Sequence, residues 1–248
     1  PKAIAWSTRY FKEGGTDAQM RLLLIHSYYQ ANDFDNAAQE ALADLNEDEK
    51  AGRIPSEDRL QLLANAYLKL KETTRYVYAL EKLVTYYPKK DYWNAHLVSL
   101  QRKPGFADRL SLDVMRLKLA NGLITKTDDF MEMAQLSLQA GLPVEAKTIV
   151  DKGYAAGALG TGEQAARHQR LRDLVLKQQA ESAATIDKEA ADAAAAKDGN
   201  ELVKVGTVYA SMGQYDKAVD LIEKGIGKGG LKRPEDARLR LALALAAQ

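Results

Sequence analysis

The sequence predicts an all-α fold made of antiparallel helix pairs repeated along the chain, an α-solenoid. Three observations carry that expectation. Residues 200–230, NELVKVGTVYASMGQYDKAVDLIEKGIGKGG, read as two amphipathic helices joined by a tight turn at Met212-Gly213-Gln214. Leu202, Val205, Val208, Val219 and Ile222 keep a helical apolar period there, while Gly206, Ala218 and Gly225 stand where the helices must approach closely. The same pattern returns at a nearly constant interval, with unit starts near 18, 57, 91, 127, 163, 199 and 235. Finally, the six prolines all fall in short candidate turns or ends, as a helical chain requires.

Taken in order, residues 1–16 read as one helix ending at Gly14-Gly15, with Ile4, Trp6, Tyr10 and Phe11 on its buried side. The unit from Ala18 aligns Leu24, Tyr28, Asn32-Asp33-Phe34-Asp35 and Ala37 with Val205, Tyr209, Gly213-Gln214-Tyr215-Asp216 and Ala218. A long second helix and a loop from Gly52 to Ser56 follow. The unit from Glu57 carries Leu60, Ala64, Tyr67, Leu80 and a terminating Pro88, but sets bulky Tyr76 at the small twentieth place, where it should splay the pair. In the unit from Asp91, Pro104-Gly105 marks the elbow, and the second helix is expected from Phe106 to Ala120. In the unit from Thr127, LQAGLPVEAKTIVDKG parallels YASMGQYDKAVDLIEKG, with Pro143 preset for a first helical turn.

The unit from Glu163 to Asp198 has no Gly or Pro through Lys197 and is alanine-rich. It reads as a helix pair or as one long helix, intrinsically helical but with little apolar area to bury. The weakest packing is expected there. The helix from Glu235 opens a partial seventh unit.

The order Leu, Gly, Tyr, then Gly-Gln-Tyr-Asp-Lys-Ala at the elbow resembles the tetratricopeptide repeat, and Trp93 lies close to that family's tryptophan position. The family period is about 34 residues. The spacings here, 39, 34, 36, 36, 36 and 36, are slightly longer, as an extended inter-repeat turn would make them. Sel1-type repeats run near this length, but the elbow favours the tetratricopeptide likeness. It implies a right-handed α-solenoid of about six repeats plus a terminal helix: one array over 1–248, with repeats 18–56, 57–90, 91–126, 127–162, 163–198 (degenerate) and 199–234, and partial repeats at 1–16 and 235–248.

Composition narrows the function classes. Hydrophobic residues are 46% and charged residues 28%, ordinary for a chain that buries a core. Thirty-five Lys and Arg against 34 Asp and Glu leave a net charge of +1, no footprint for nucleic acid. No apolar run approaches the roughly 18 residues of a membrane span. With no cysteine, disulfides, thiolate metal sites and cysteine nucleophiles are excluded. The chain begins at Pro1 without a signal peptide, so a processed or trimmed product is expected, continuing beyond Gln248.

Sites of chemistry are not expected. His26, His96 and His168 lie about seventy residues apart with no neighbour at metal-ligand spacing, and each is expected on the surface or in a groove. The run Gly225-Ile-Gly-Lys-Gly-Gly-Leu-Lys lacks the Lys-Ser/Thr that a phosphate loop needs after its last glycine, and reads as a helix C-cap. Arg167, Arg170 and Arg172 with His168 could meet an acidic partner, but Glu163 and Asp173 dilute them into a solvated helix face. No GxSxG elbow is present. Asp58 and Asp128 stand two repeats apart, too far for a shared catalytic pair. No catalytic residue, metal or cofactor is predicted, and the chain is expected not to be an enzyme.

The resemblance implies that the second, fifth, ninth, twelfth and thirteenth places of each first helix line a concave groove. Those places select His26, Tyr29 and Gln30 with Gln19; Gln61, Asn65 and Lys69 with Asp58; Tyr92 and Arg102 with Ala95 and Ser99; and Gln135 and Gln139 with Asp128 and Met131. Asn94 and Gln101 join them if the register slips by one. This lining is mostly amides, which can pair with an extended peptide backbone. Leu22 and His26 stand where relatives that capture chaperone C-termini carry clamp residues, so no such tail is expected. The resulting expectation is a non-catalytic scaffold binding a peptide or protein segment. Its expected setting is a bacterial cell-envelope assembly or transport complex, periplasmic, with the cytoplasm as the alternative. Other readings are a regulatory or ligand-sensing repeat domain and a module that self-associates through the helix at Glu235–Gln248.

Overall fold

The structure, a computed structural model, describes residues 2–248. It forms two compact units, Pro1–Leu123 and Ile124–Gln248. Among the described residues there are thirteen α-helices, a short 3-10 turn at Asp108–Leu110 and no strand. None of the helices is long and apolar enough to cross a membrane.

The first unit contains α1 (Lys2–Lys12), α2 (Ala18–Gln30), α3 (Phe34–Lys50), α4 (Glu57–Lys69), α5 (Thr73–Tyr86), α6 (Lys90–Arg102) and α7 (Ser111–Ala120). The second contains α8 (Thr127–Gln139), α9 (Pro143–Ala155), α10 (Ala165–Ala195), α11 (Asn200–Ser211), α12 (Tyr215–Lys228) and α13 (Pro234–Ala247). Each helix packs on the next within its unit, so the architecture is a succession of antiparallel pairs.

Four pairs share one turn. In α2–α3, α4–α5, α8–α9 and α11–α12 the first helix ends, three residues reverse the chain, and the second helix begins. The middle residue of each turn has positive φ: Asn32 at 59°, Lys71 at 60°, Gly141 at 72° and Gly213 at 74°. The following N–H reaches back to a carbonyl five residues earlier: Asp33 to Tyr28 at 2.9 Å, Glu72 to Tyr67 at 3.0 Å, Leu142 to Ser137 at 2.9 Å and Gln214 to Tyr209 at 3.0 Å. This is the Schellman closure, which satisfies carbonyls left open at a helix end. Counted from the unit starts, the left-handed residue is always the fifteenth.

Small residues then let the paired helices meet. Ala37, Ala146 and Ala218 are fully buried at the twentieth place. A side chain on Gly206 would meet Ile222 and the Ala218 carbonyl, and one on Gly199 would lie 1.8 Å from the Gly225 carbonyl oxygen. Tyr76, the bulky exception, lies half-buried beside the core of the first unit, and α4 and α5 remain packed together. That core joins Ile25, Ala41, Leu45, Leu60, Leu63, Tyr67, Leu80 and Leu83 from α2 to α5.

Two expectations are corrected, and one open alternative is settled. Trp6 is 67% exposed, because the face that α1 buries runs through Ile4, Ser7 and Phe11, and Trp6 stands two residues off that stripe. The second helix of the third pair starts at Ser111 and not at Phe106. Gly105 at φ 82° and extended Ala107 use the intervening residues in the turn. The open question at 163–198 is resolved as one helix of 31 residues, about 46 Å long. Its first half is tied to α9 by the 3.9 Å pair of Arg172 with Asp151, and its second half to α11 by the Tyr209 hydroxyl donating to Asp187 at 2.8 Å.

Candidate peptide-binding faces

In the first unit, three successive first helices, α2, α4 and α6, carry the groove places. Four of the α2 and α4 positions are solvent-exposed: His26, Gln30, Asn65 and Lys69. Gln19 and Asp58 are exposed on the same helices, and Arg102 and Asn94 on α6. On the same three helices Leu22, Tyr29, Tyr92 and Ala95 are half-buried and packed against the unit's core. The Tyr29 ring is fixed edge-on to Phe34, with centroids 5.1 Å apart at 69°.

Two of the places are already engaged with each other. The Gln61 side-chain amide donates to the Tyr92 hydroxyl, which donates in turn to the Glu57 carboxylate at 2.5 Å. Lys89 completes the group by pairing with Glu57 at 2.5 Å. The hydrogen bond from Lys89, with that from Tyr92, holds the Glu57 carboxyl below its ordinary range. Burial and the hydrogen bond to Glu57 push the Tyr92 hydroxyl up, and the bond to Glu57 raises Lys89. This group braces α4 against α6. Gln61 and Tyr92 therefore shape the face more than they offer it hydrogen bonds.

A second charge group holds the back of the same unit. Arg59, on α4, meets Asp44 at 2.5 Å and Asp48 at 3.9 Å on α3, and donates to the Ala18 carbonyl at the start of α2 at 3.1 Å. Arg21 adds Glu40 at 3.3 Å, and Arg53 adds Asp48 at 2.7 Å. One guanidinium thus locks the relative positions of α2, α3 and α4, and so of the exposed amides they present.

In the second unit, Gln135 and Gln139 are exposed on α8 with Asp128, while Met131 is buried. That corrects Met131 as a lining residue: it follows Phe130 on the face α8 turns inward with Ala134. The histidines need correction too. His26 is exposed, but His96 and His168 are buried. Burial pushes His96 below the ordinary histidine value, more strongly than Glu81 and a hydrogen bond with the Val77 backbone raise it. Among the described residues no group of three His, Asp or Glu side chains is placed to hold a metal ion.

Sequence reasoning passed over two exposed leucines. Leu23, on α2, and Leu68, 53% exposed on α4, lie beside His26 and Lys69. Leu68 was within reach, since the count that selects Lys69 at the thirteenth place puts Leu68 at the twelfth. The charge groups left no such signal, because their members come from three helices and nothing in their spacing marks them.

No family model matches this chain, and no curated protein matches it. Solved structures do. One is TTC0263, a thermophilic TPR protein of Thermus thermophilus, at 17% identity over 92% of this chain and 98% of that one, with a TM-score of 0.29. Another is a tetratricopeptide repeat protein of Parabacteroides merdae, at 14% identity over 98% of both chains, with a TM-score of 0.33. Scores this low add nothing about a site or partner. The turns and close approaches of the chain itself define its class: an all-α array of antiparallel helix pairs.

Proposed function

We propose that the chain is a non-catalytic protein-interaction scaffold and that the α2–α4–α6 face of the first unit captures an extended peptide segment. The observation that carries this is the exposure of His26, Gln30, Asn65 and Leu68 on a face whose helices also hold half-buried Leu22, Tyr29 and Ala95. Side-chain amides pair with a peptide backbone in any sequence, while an apolar floor selects one or two anchoring side chains. The bracing by Arg59 and Glu57 means that little ordering remains to oppose binding. The repeat register from 18–56 to 199–234, with partial repeats at each end, belongs to this proposal, as does a bacterial, cell-envelope setting. Its support there is the sequence alone.

The test is selection of binders from a displayed random-peptide library, followed by calorimetry on the wild type and on Gln30→Ala/Asn65→Ala/Leu68→Ser. These surface changes leave the core untouched. Loss of about tenfold or more in affinity, the size of one or two lost anchors, supports the reading. Equal affinity, or a library that yields no binder, overturns it.

A second reading, self-association through α13, is favoured by Leu239, Leu243 and Leu245, which that helix leaves exposed. Sedimentation that is independent of concentration, or unchanged by Leu243→Lys, counts against it.

A further inference from the structure

We propose that His168 is a protonation-controlled latch on the loop between α9 and α10. Residues 156–164 fold back against the second unit and are held by four kinds of contact. The Ala158 and Leu159 N–H groups both donate to the Gly153 carbonyl, at 3.0 and 3.1 Å. The Thr127 hydroxyl, from the start of α8, donates to the Ala158 carbonyl at 2.7 Å. Leu159, 2% exposed, fills a slot against Gly153 and Phe130, where a side chain on Gly153 would lie 2.6 Å from it. The Gly160 N–H donates to Nδ1 of His168 at 3.1 Å.

That last bond differs in kind from the others. A backbone N–H can donate to an imidazole nitrogen only while that nitrogen carries no proton. The closed loop therefore contains neutral His168 with its Nδ1 as acceptor, and protonation turns the acceptor into a donor facing a donor. Histidine is the side chain whose charge changes between about pH 5 and 8.

None of the charged side chains around the ring bonds to it, those of α8 (Asp128, Asp129 and Glu132, after Lys126) included. His168 is 3% exposed. On α10 its charged neighbours are Arg167, Arg170, Arg172 and Asp173, and the loop adds only exposed Glu163. On α9, Asp151 is bonded by Lys147 at 2.5 Å and lies 3.9 Å from Arg172; Glu145 and Lys152 are the remaining charges of that helix. Among the described residues no carboxylate pairs with the ring. Arg172 is engaged over the Tyr154 ring at 4.7 Å, and a side chain on Gly160 would strike that same ring at 2.4 Å. Gly160 is thus seated between Tyr154 and His168, and its release frees the loop from both. Opening would draw Leu159 from its slot and expose an apolar pocket lined by Phe130 and Gly153.

Hydrogen exchange followed by mass spectrometry on the whole chain tests the latch, with rates corrected for intrinsic exchange. Between about pH 7.5 and about pH 5.5, protection of residues 156–164 should fall about tenfold, while α12 keeps its protection. His168→Asn places a non-titrating oxygen near Nδ1 and should hold protection within about twofold over the same range. A wild-type loop indifferent to pH, or a variant loop that opens as the wild type does, overturns the proposal. So does loss of protection in α8, α9 and α12 together with the loop, which is unfolding of the unit. Should His168→Asn not fold, ¹⁵N spectra of the wild-type imidazole decide. Nδ1 unprotonated when the loop is protected, and protonated as it opens, supports the latch. Nδ1–H present in the closed state sinks it.

Discussion

At the fifteenth place of the four shared turns the chain takes a left-handed conformation, and the residue type there sets the cost. Gly141 and Gly213 adopt it freely, Asn32 tolerates it, and Lys71 at φ 60° bears the penalty of a β-carbon crowding the backbone. Lys71 is exposed, and its ammonium makes no ion pair among the described residues. Lys71→Gly is therefore expected to stabilise the first unit by about 1 kcal/mol, somewhat less than the left-handed penalty because glycine gains freedom in the unfolded chain. The midpoint of urea unfolding should rise; a fall would mean that the lysine stem contributes packing. His96 gives a pH prediction. Its Nδ1 is buried without a partner, and burial lowers its pKa, so the fold prefers the neutral ring. A depressed histidine leaves stability intact above the unfolded value of about 6.5 and removes it as pH falls below that value. Melting temperature should drop on acidification from about pH 7 to about pH 5, and His96→Leu should flatten part of that drop. A variant with the same slope as the wild type would assign the acid sensitivity elsewhere. The left-handed place was legible in the sequence, because Gly and Asn advertise it. The burial of His96 was not, because the packing of α6 against α5 that encloses it is decided between helices.

Among the elements, α10 departs from the pattern that governs its neighbours. Its fifteenth place is Lys177, at the head of KQQAESAATIDK, which offers no Gly, Asn or Pro to reverse the chain. Alanine and long polar residues favour continuing the helix, so the pair becomes a single rod. Lys71 shows that lysine can occupy a turn, but there Tyr67, Leu80 and Leu83 bury enough surface to hold the second helix back on the first. Between Val175 and Ile186 no residue of α10 is buried. The middle of α10, about residues 177–184, should exchange its amides faster than α9 or α11 by roughly tenfold or more. Uniform protection along the rod would show that intrinsic helicity alone suffices. The sequence left a pair and a rod both open here, because propensity favours helix in both and only tertiary contact distinguishes them.

For the whole molecule, each of the two units has its own buried residues, and both tryptophans, Trp6 and Trp93, lie in the first. Tryptophan fluorescence therefore reports one unit, whereas circular dichroism reports all the helices. Ile222, fully buried in α12 beneath Gly206, is a core residue of the second unit. Ile222→Ala should cost about 3 kcal/mol there. Helical arrays unfold according to local and nearest-neighbour terms, so the dichroism transition should move to lower urea while the fluorescence transition moves much less. Coincident shifts in both probes would show that the chain unfolds as one cooperative body.

The sequence by itself determined the all-α architecture, the three-residue turns and the small residues at the close approaches. These follow from short-range rules: an apolar period, a carbonyl that needs an N–H five residues on, and a β-carbon that does not fit. Only the tertiary structure decided that Trp6 faces solvent, that His96 and His168 are enclosed, that Gln61 and Tyr92 are joined to Glu57, and that Arg59 ties three helices together. Each of these depends on which side chains of separate helices meet. A helical period says which face of a helix is buried, but the partner across the contact is chosen by packing and charge over the whole unit.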